Sequence, residues 1–265
     1  MYNYILPLTL CLSLSCQERS TDAEKLAAVP VQARIVQQAA TSAPSKPVNY
    51  PGPEIGASWK KEVYVITDSV VLGAKFAIGK NFKTIGWKST VDGRPAMMIK
   101  AGISEYVKTH PKLPENAVVA LGYNSLWEKD KKNFEKWTKR FDGEVEAMLK
   151  QLTSRGVKKV VWVLLREAEE EFVPAKNKTA KSQFSRYAWY FPYANERLKA
   201  LREKHPEMAL ADWPSVSQST DLTYDFIHLN PKGAQTMTEE IMRSVGVEPP
   251  TEEMLKAAKA KKKSK

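Results

Sequence analysis

Five short apolar, β-prone runs recur along the chain with longer helical patterns between them, and this alternation constrains the fold more than any other feature. The runs are Val63 to Thr67, Lys83 to Trp87, Ala117 to Leu121, Lys158 to Leu165 and Met208 to Ala211. Helical periodicity places helices near Val70 to Ile78, Met98 to His110, Asn133 to Arg155, Tyr193 to His205 and Pro231 to Val245. Strands joined by helices must run parallel, and a parallel sheet has to be covered on both faces. The expected fold is therefore α/β: a three-layer α/β/α sandwich on a five-stranded parallel sheet, doubly wound and flavodoxin-like. In such sheets ligands bind beyond the carboxyl ends of the strands, so the polar residues after each strand are the ones to read for chemistry.

The rest of the chain is organised around that domain. Tyr4 to Ser15 is apolar but shorter than the roughly 20 residues that span a bilayer, and it reads as the hydrophobic part of a secretory signal. Leu14-Ser15-Cys16 resembles the end of a bacterial lipobox, which would make Cys16 a lipidation site. Residues 17–58 are rich in Ala, Pro, Ser and Gln and read as a flexible tether. The folded domain is assigned to 59–247, and the lysine-rich 248–265 to a basic disordered tail. Cys11 and Cys16 are the chain's two cysteines, which leaves the domain without a disulfide framework, a Cys-liganded zinc site or a cysteine nucleophile. No metal-ligand cluster and no Gly-rich phosphate loop stand out, and no metal or cofactor is expected.

The formal net charge is +11, much of it in the tail. Its sign favours an anionic envelope polymer or lipid as a contact. Nucleic acid is not expected, because no zinc-finger spacing, RNA-recognition signature or basic recognition helix accompanies the charge.

Three places carry possible chemistry. Ile66-Thr67-Asp68-Ser69-Val70 delivers a serine at the end of the first strand, where Asp and Ser also serve as ordinary helix caps. Leu121-Gly122-Tyr123-Asn124-Ser125 follows the third strand, where Asn124 can donate an N–H to an oxyanion or simply build a turn. Asp225-Phe226-Ile227-His228 precedes the last helix, and a carboxylate three residues before a histidine can fold back onto Nδ1 and leave Nε2 free as a base. His110 and His205, each before a proline, suit surface positions.

Together these segments resemble, in order and spacing over roughly residues 62–246, the blocks of the SGNH (GDSL-like) hydrolase superfamily. The phrase Asp225-Phe226-Ile227-His228-Leu229-Asn230-Pro231-Lys232-Gly233 is similar to that family's closing signature. The resemblance implies an SGNH hydrolase fold, a triad of Ser69, Asp225 and His228, and an oxyanion hole of the Ser69 N–H, Asn124 and a glycine after the second strand. Gly93 is the choice for that glycine, with Gly86 and Gly102 as alternatives. Arg94 and Asp68 are the candidate substrate-binding residues, although Arg94 suits a surface salt bridge equally well. Thr67 stands where the family carries glycine, beside the nucleophile. The implied activity is acyl-ester hydrolysis or O-acyl transfer on acylated envelope carbohydrate or a small ester, by an exported, periplasmic or cell-surface lipoprotein. A non-catalytic envelope-binding module on the same fold is the alternative. Tyr187 to Tyr193 offers aromatic faces to sugar rings or to the core.

Overall fold

The structure is a computed structural model that describes residues 50–126 and 131–263. The expected signal segment and Cys16 lie outside the described residues. Five strands form one sheet: β1 (Glu62–Thr67), β2 (Lys88–Gly93), β3 (Asn116–Ala120), β4 (Lys159–Val163) and β5 (Met208–Ala211). Their order is β2-β1-β3-β4-β5 and every neighbouring pair is parallel. This is the expected doubly wound α/β/α sandwich.

The helices are α1 (Ser69–Leu72), α2 (Lys75–Thr84), α3 (Ile99–Glu105), α4 (Phe134–Thr153), α5 (Lys178–Tyr187), α6 (Phe191–Arg202), α7 (Trp213–Val216), α8 (Pro231–Val245) and α9 (Glu252–Lys263). In one layer α2 packs against α8, and in the other α4 packs against α3 and α6. The central strands β1, β3 and β4 are buried on both faces, which is why they read as unbroken apolar runs.

The second strand departs from expectation. Lys83 to Trp87 is the last turn of α2 and its exit, with Gly86 at φ +77° and the Trp87 N–H donating to Phe82 O at 2.8 Å. The true strand, Lys88–Gly93, lies at the sheet edge, where Lys88 and Thr90 face solvent and Val91 is its one buried apolar side chain. An edge strand needs no apolar run, so hydrophobicity alone points one element too early.

Two boundaries also move. Residues 50–58, expected in the tether, belong to the folded unit: Leu210 N donates to Tyr50 O at 3.2 Å, and Arg202 Nη2 donates to Pro51 O at 2.7 Å. This segment caps the outer edge of β5, whose N–H and C=O groups would otherwise lie open. At the other end, Glu252–Lys263, expected as disordered tail, is helical. Alanine and lysine are good helix formers, and Glu252 and Glu253 in the first turn with lysines in the last complement the helix dipole.

Candidate active site

At the carboxyl end of β1, Asp68 caps the short α1. Its Oδ1 accepts from Val70 N at 2.9 Å, and the cap sets Ser69 at the first helical position. Asp68 is fully buried, so it does not bind substrate as expected but holds the turn that presents Ser69. Burial pushes its carboxyl up to about 7, against the lowering effect of the Val70 N–H, the Asn124 amide and the nearby His228. Thr67 is also buried, with Oγ1 on Asp68 O at 3.1 Å. The register sets Thr67 beside Gly93, where a Cβ at 93 would stand 1.9 Å from Thr67 O. Gly93 is thus required by close approach of the chains, and the β-branched residue beside Ser69 is accommodated there rather than in the cleft.

The loop before α8 is held by its own backbone. Asp225 Oδ1 accepts from the N–H groups of Phe226, Ile227 and His228 at 2.6, 2.8 and 2.8 Å, while Oδ2 lies 2.7 Å from His228 Nδ1. Burial works to raise this carboxyl, yet the His228 and backbone hydrogen bonds outweigh it and hold the group far below the usual carboxylate range. The same bond raises His228 above its ordinary value. The loop closes through Tyr224 N to His228 O at 2.9 Å, and then Asn230 caps α8 by accepting from Gly233 N at 3.0 Å. A Cβ at Gly233 would meet Leu222 O at 2.0 Å, so the closing Asn-Pro-Lys-Gly phrase is a docking constraint.

These two segments meet. His228 Nε2 lies 3.1 Å from Ser69 Oγ, across 159 residues of sequence. Hydroxyl, imidazole and carboxylate form one line in which Nδ1 is fixed by Asp225 and Nε2 can take the serine proton.

Asn124 joins them from the end of β3, with Nδ2 donating to Asp68 Oδ2 at 3.0 Å, and it lines the same cleft as Ser69 and His228. Two indole N–H groups pin this turn, Trp162 on Leu121 O and Trp137 on Ser125 O, at 3.1 and 2.8 Å.

Ser69, Asn124 and His228 line a cleft of about 410 Å³ whose other walls include Tyr123, Leu126, Gln183, Tyr187, Phe191, Phe226 and Ile227. Gly93 does not line it, nor do Gly86, at the far end of the sheet, or Gly102, buried in α3 against Leu121. Arg94 is not a cleft residue either: it makes a bidentate surface pair with Glu105, both bonds 2.7 Å. Of the aromatic stretch, Tyr190 and Phe191 are core, and Tyr187 and Phe191 reach the cleft wall.

Sequence reading missed two contributors. One is Gln183 on α5, the helix that also ends in the Tyr187 of the aromatic stretch; its polar, lysine-containing sequence shows little apolar face. The other is Arg166, just past β4 and fully buried. Its guanidinium donates to Ser217 O at 2.8 and 3.2 Å, Ser219 O at 2.6 Å, Thr223 Oγ1 at 2.9 Å and Phe226 O at 3.0 Å. It thereby ties the Asp225–His228 loop to the sheet. A lone arginine after a strand gives no pattern to find it by.

No family model matches the chain and no curated protein matches it in sequence. Among solved structures, an acetyl xylan esterase superposes with a TM-score of 0.50 at 17% identity, covering 69% of this chain and 99% of that one. The fold is that of the SGNH hydrolases. Also similar are an acetyl xylan esterase of Geobacillus stearothermophilus (TM-score 0.47, 12% identity, 74% of this chain and 99% of that one) and an extracellular lipase of Streptomyces rimosus (0.46, 10%, 69% and 99%). Among the described residues no cluster of His, Cys, Asp or Glu could hold a metal ion.

Proposed function

We propose that this SGNH domain is a serine-dependent acyl-ester hydrolase or O-acyltransferase. The observation that carries the reading is the 3.1 Å approach of His228 Nε2 to Ser69 Oγ, with Nδ1 already engaged by Asp225 at 2.7 Å. Ser69 Oγ attacks the ester carbonyl as its proton passes to Nε2. The Ser69 N–H and the second Asn124 N–H hold the oxyanion, each worth about 3 to 4 kcal/mol in the transition state. Collapse transfers the proton to the departing alkoxide and leaves an acyl-enzyme on Ser69. Water then regenerates the enzyme, or a sugar hydroxyl takes the acyl group.

The cleft's polar wall and the aromatic faces of Tyr187 and Phe191 suit a short acyl group on a carbohydrate. The apolar Tyr4 to Ser15 stretch and Cys16 support an exported lipoprotein acting on acylated envelope carbohydrate. Hydrolysis of p-nitrophenyl acetate by wild type, lost in Ser69→Ala, tests the activity. Equal rates for the two proteins would remove it. Radiolabelled palmitate should mark wild type and not Cys16→Ala; equal or absent label removes the lipid anchor.

A further inference from the structure

The exposed side of α2, like that of α5, carries basic residues and no acid, and it adds an exposed large apolar side chain that α5 lacks. A surface helix such as α4 mixes signs, with Glu135, Glu144 and Glu146 among Lys136 and Arg140, whereas α2 carries Lys75, Lys80 and Lys83 and no acid. Phe76, Lys80 and Lys83 recur at helical spacing on its outer side, opposite the buried Ile78 and Phe82. Phe76 is 83% exposed, the most exposed large apolar side chain among the described residues.

At the far end of α2, Lys83 joins Lys60, Lys61 and Lys88 around an open concavity of about 610 Å³ floored by Gly86 and Trp87. Against α2 lies α9, which adds exposed Lys259 and the half-exposed Met254. Within the described residues none of Lys60, Lys61, Lys75, Lys80, Lys83, Lys88 or Lys259 has a carboxylate partner. Glu62 also lines the concavity, while on α9 Glu252 pairs with Lys256 and on α8 Glu239 pairs with Arg243.

From this juxtaposition we infer that the α2 side of the domain docks on an anionic phospholipid bilayer, with the lysines at the headgroups and Phe76 entering the acyl boundary. A polyanionic chain would satisfy the lysines but offers Phe76 no apolar medium, and a bilayer offers both. No helix among the described residues is long and apolar enough to cross a membrane, so this is surface attachment. The cleft is lined by other elements and stays open. The inference stands apart from the hydrolase reading.

The test uses the full chain with Cys11→Ser and Cys16→Ser, and Phe76→Cys labelled with bimane. Vesicles of phosphatidylcholine with about one third phosphatidylglycerol should blue-shift the probe. Pure phosphatidylcholine vesicles or soluble polyglutamate should not, and a bimane at Glu171→Cys should stay unchanged. Because the probe reports its own surroundings, attachment through the N-terminal segment alone gives no shift at residue 76. Lys80→Glu, Lys83→Glu and Lys88→Glu together should weaken anionic-vesicle binding about a hundredfold, with folding by circular dichroism and p-nitrophenyl acetate hydrolysis unchanged. No shift on anionic vesicles, or an equal shift on neutral ones or with polyglutamate, would overturn the inference.

Discussion

Of the three histidine–carboxylate pairs among the described residues, the two shortest are nearly equal in length and differ in which ring nitrogen is engaged. His228 lies 2.7 Å from Asp225 and His110 lies 2.8 Å from Asp92. In the first pair the carboxylate takes Nδ1, its other oxygen is saturated by three backbone N–H groups, and Nε2 is left for Ser69. In the second pair Nε2 itself is spent on the carboxylate, and the ring packs T-shaped with Tyr64, their centroids 5.2 Å apart. A base needs the nitrogen that faces its substrate to be free, so the pair alone does not make a site. What makes one is which nitrogen the carboxylate occupies, and what stands beyond the other.

The largest expected effect is on the hydroxyl that distinguishes the pairs. Ser69→Ala should lower ester hydrolysis by at least about 10³-fold in kcat, measured with p-nitrophenyl acetate. Next comes the partner on Nδ1. Asp225→Asn should cost about 10³- to 10⁴-fold in kcat, because the amide no longer fixes the useful tautomer or stabilises the imidazolium. Arg166→Met tests how the loop is held: it leaves the carbonyls of Ser217, Ser219 and Phe226 without their donor, and should lower stability by roughly 2 to 4 kcal/mol in urea titration. A kcat loss larger than the KM change should accompany it.

The pH profile sharpens the contrast further. General-base action requires neutral His228, whose affinity for a proton is raised by Asp225, so kcat/KM should rise with pH along a limb centred above the ordinary 6.5. Stability runs with the opposite sign at this residue: the raised folded value contributes fully below 6.5 and is lost as pH rises through it. Asp225, depressed in the folded state, contributes above the ordinary carboxylate value and loses that contribution as pH falls. The smallest effect is expected at the other pair: His110→Gln should leave kcat/KM within about twofold and cost at most about 1 kcal/mol of stability.

The legible parts of this molecule were those whose cause is local. The strands β1, β3, β4 and β5 announce themselves because burial on both faces demands apolar side chains throughout, and α8 because helical periodicity follows Pro231 at its first turn. The triad segments are short phrases with fixed spacing. What failed to show depends on distant contacts. The edge strand β2 has no apolar run, Gly93 is glycine because of Thr67, Arg94 finds Glu105 across a loop and a helix, and Arg166 acts through carbonyls more than fifty residues away. Asp68 shows the same limit, since its sequence position allowed both a helix cap and contact with substrate, and its burial with the Val70 bond decides for the cap.

A Ser69 hydroxyl activated by His228 should be open to covalent capture. The intact protein, exposed to a fluorophosphonate, should gain the mass of one phosphonyl group, mapped by peptide mass spectrometry to Ser69. His228→Ala should react far more slowly, and His110→Gln at the wild-type rate. A wild-type chain that gains no adduct, or gains it at another residue, would rule out Ser69 as the activated nucleophile.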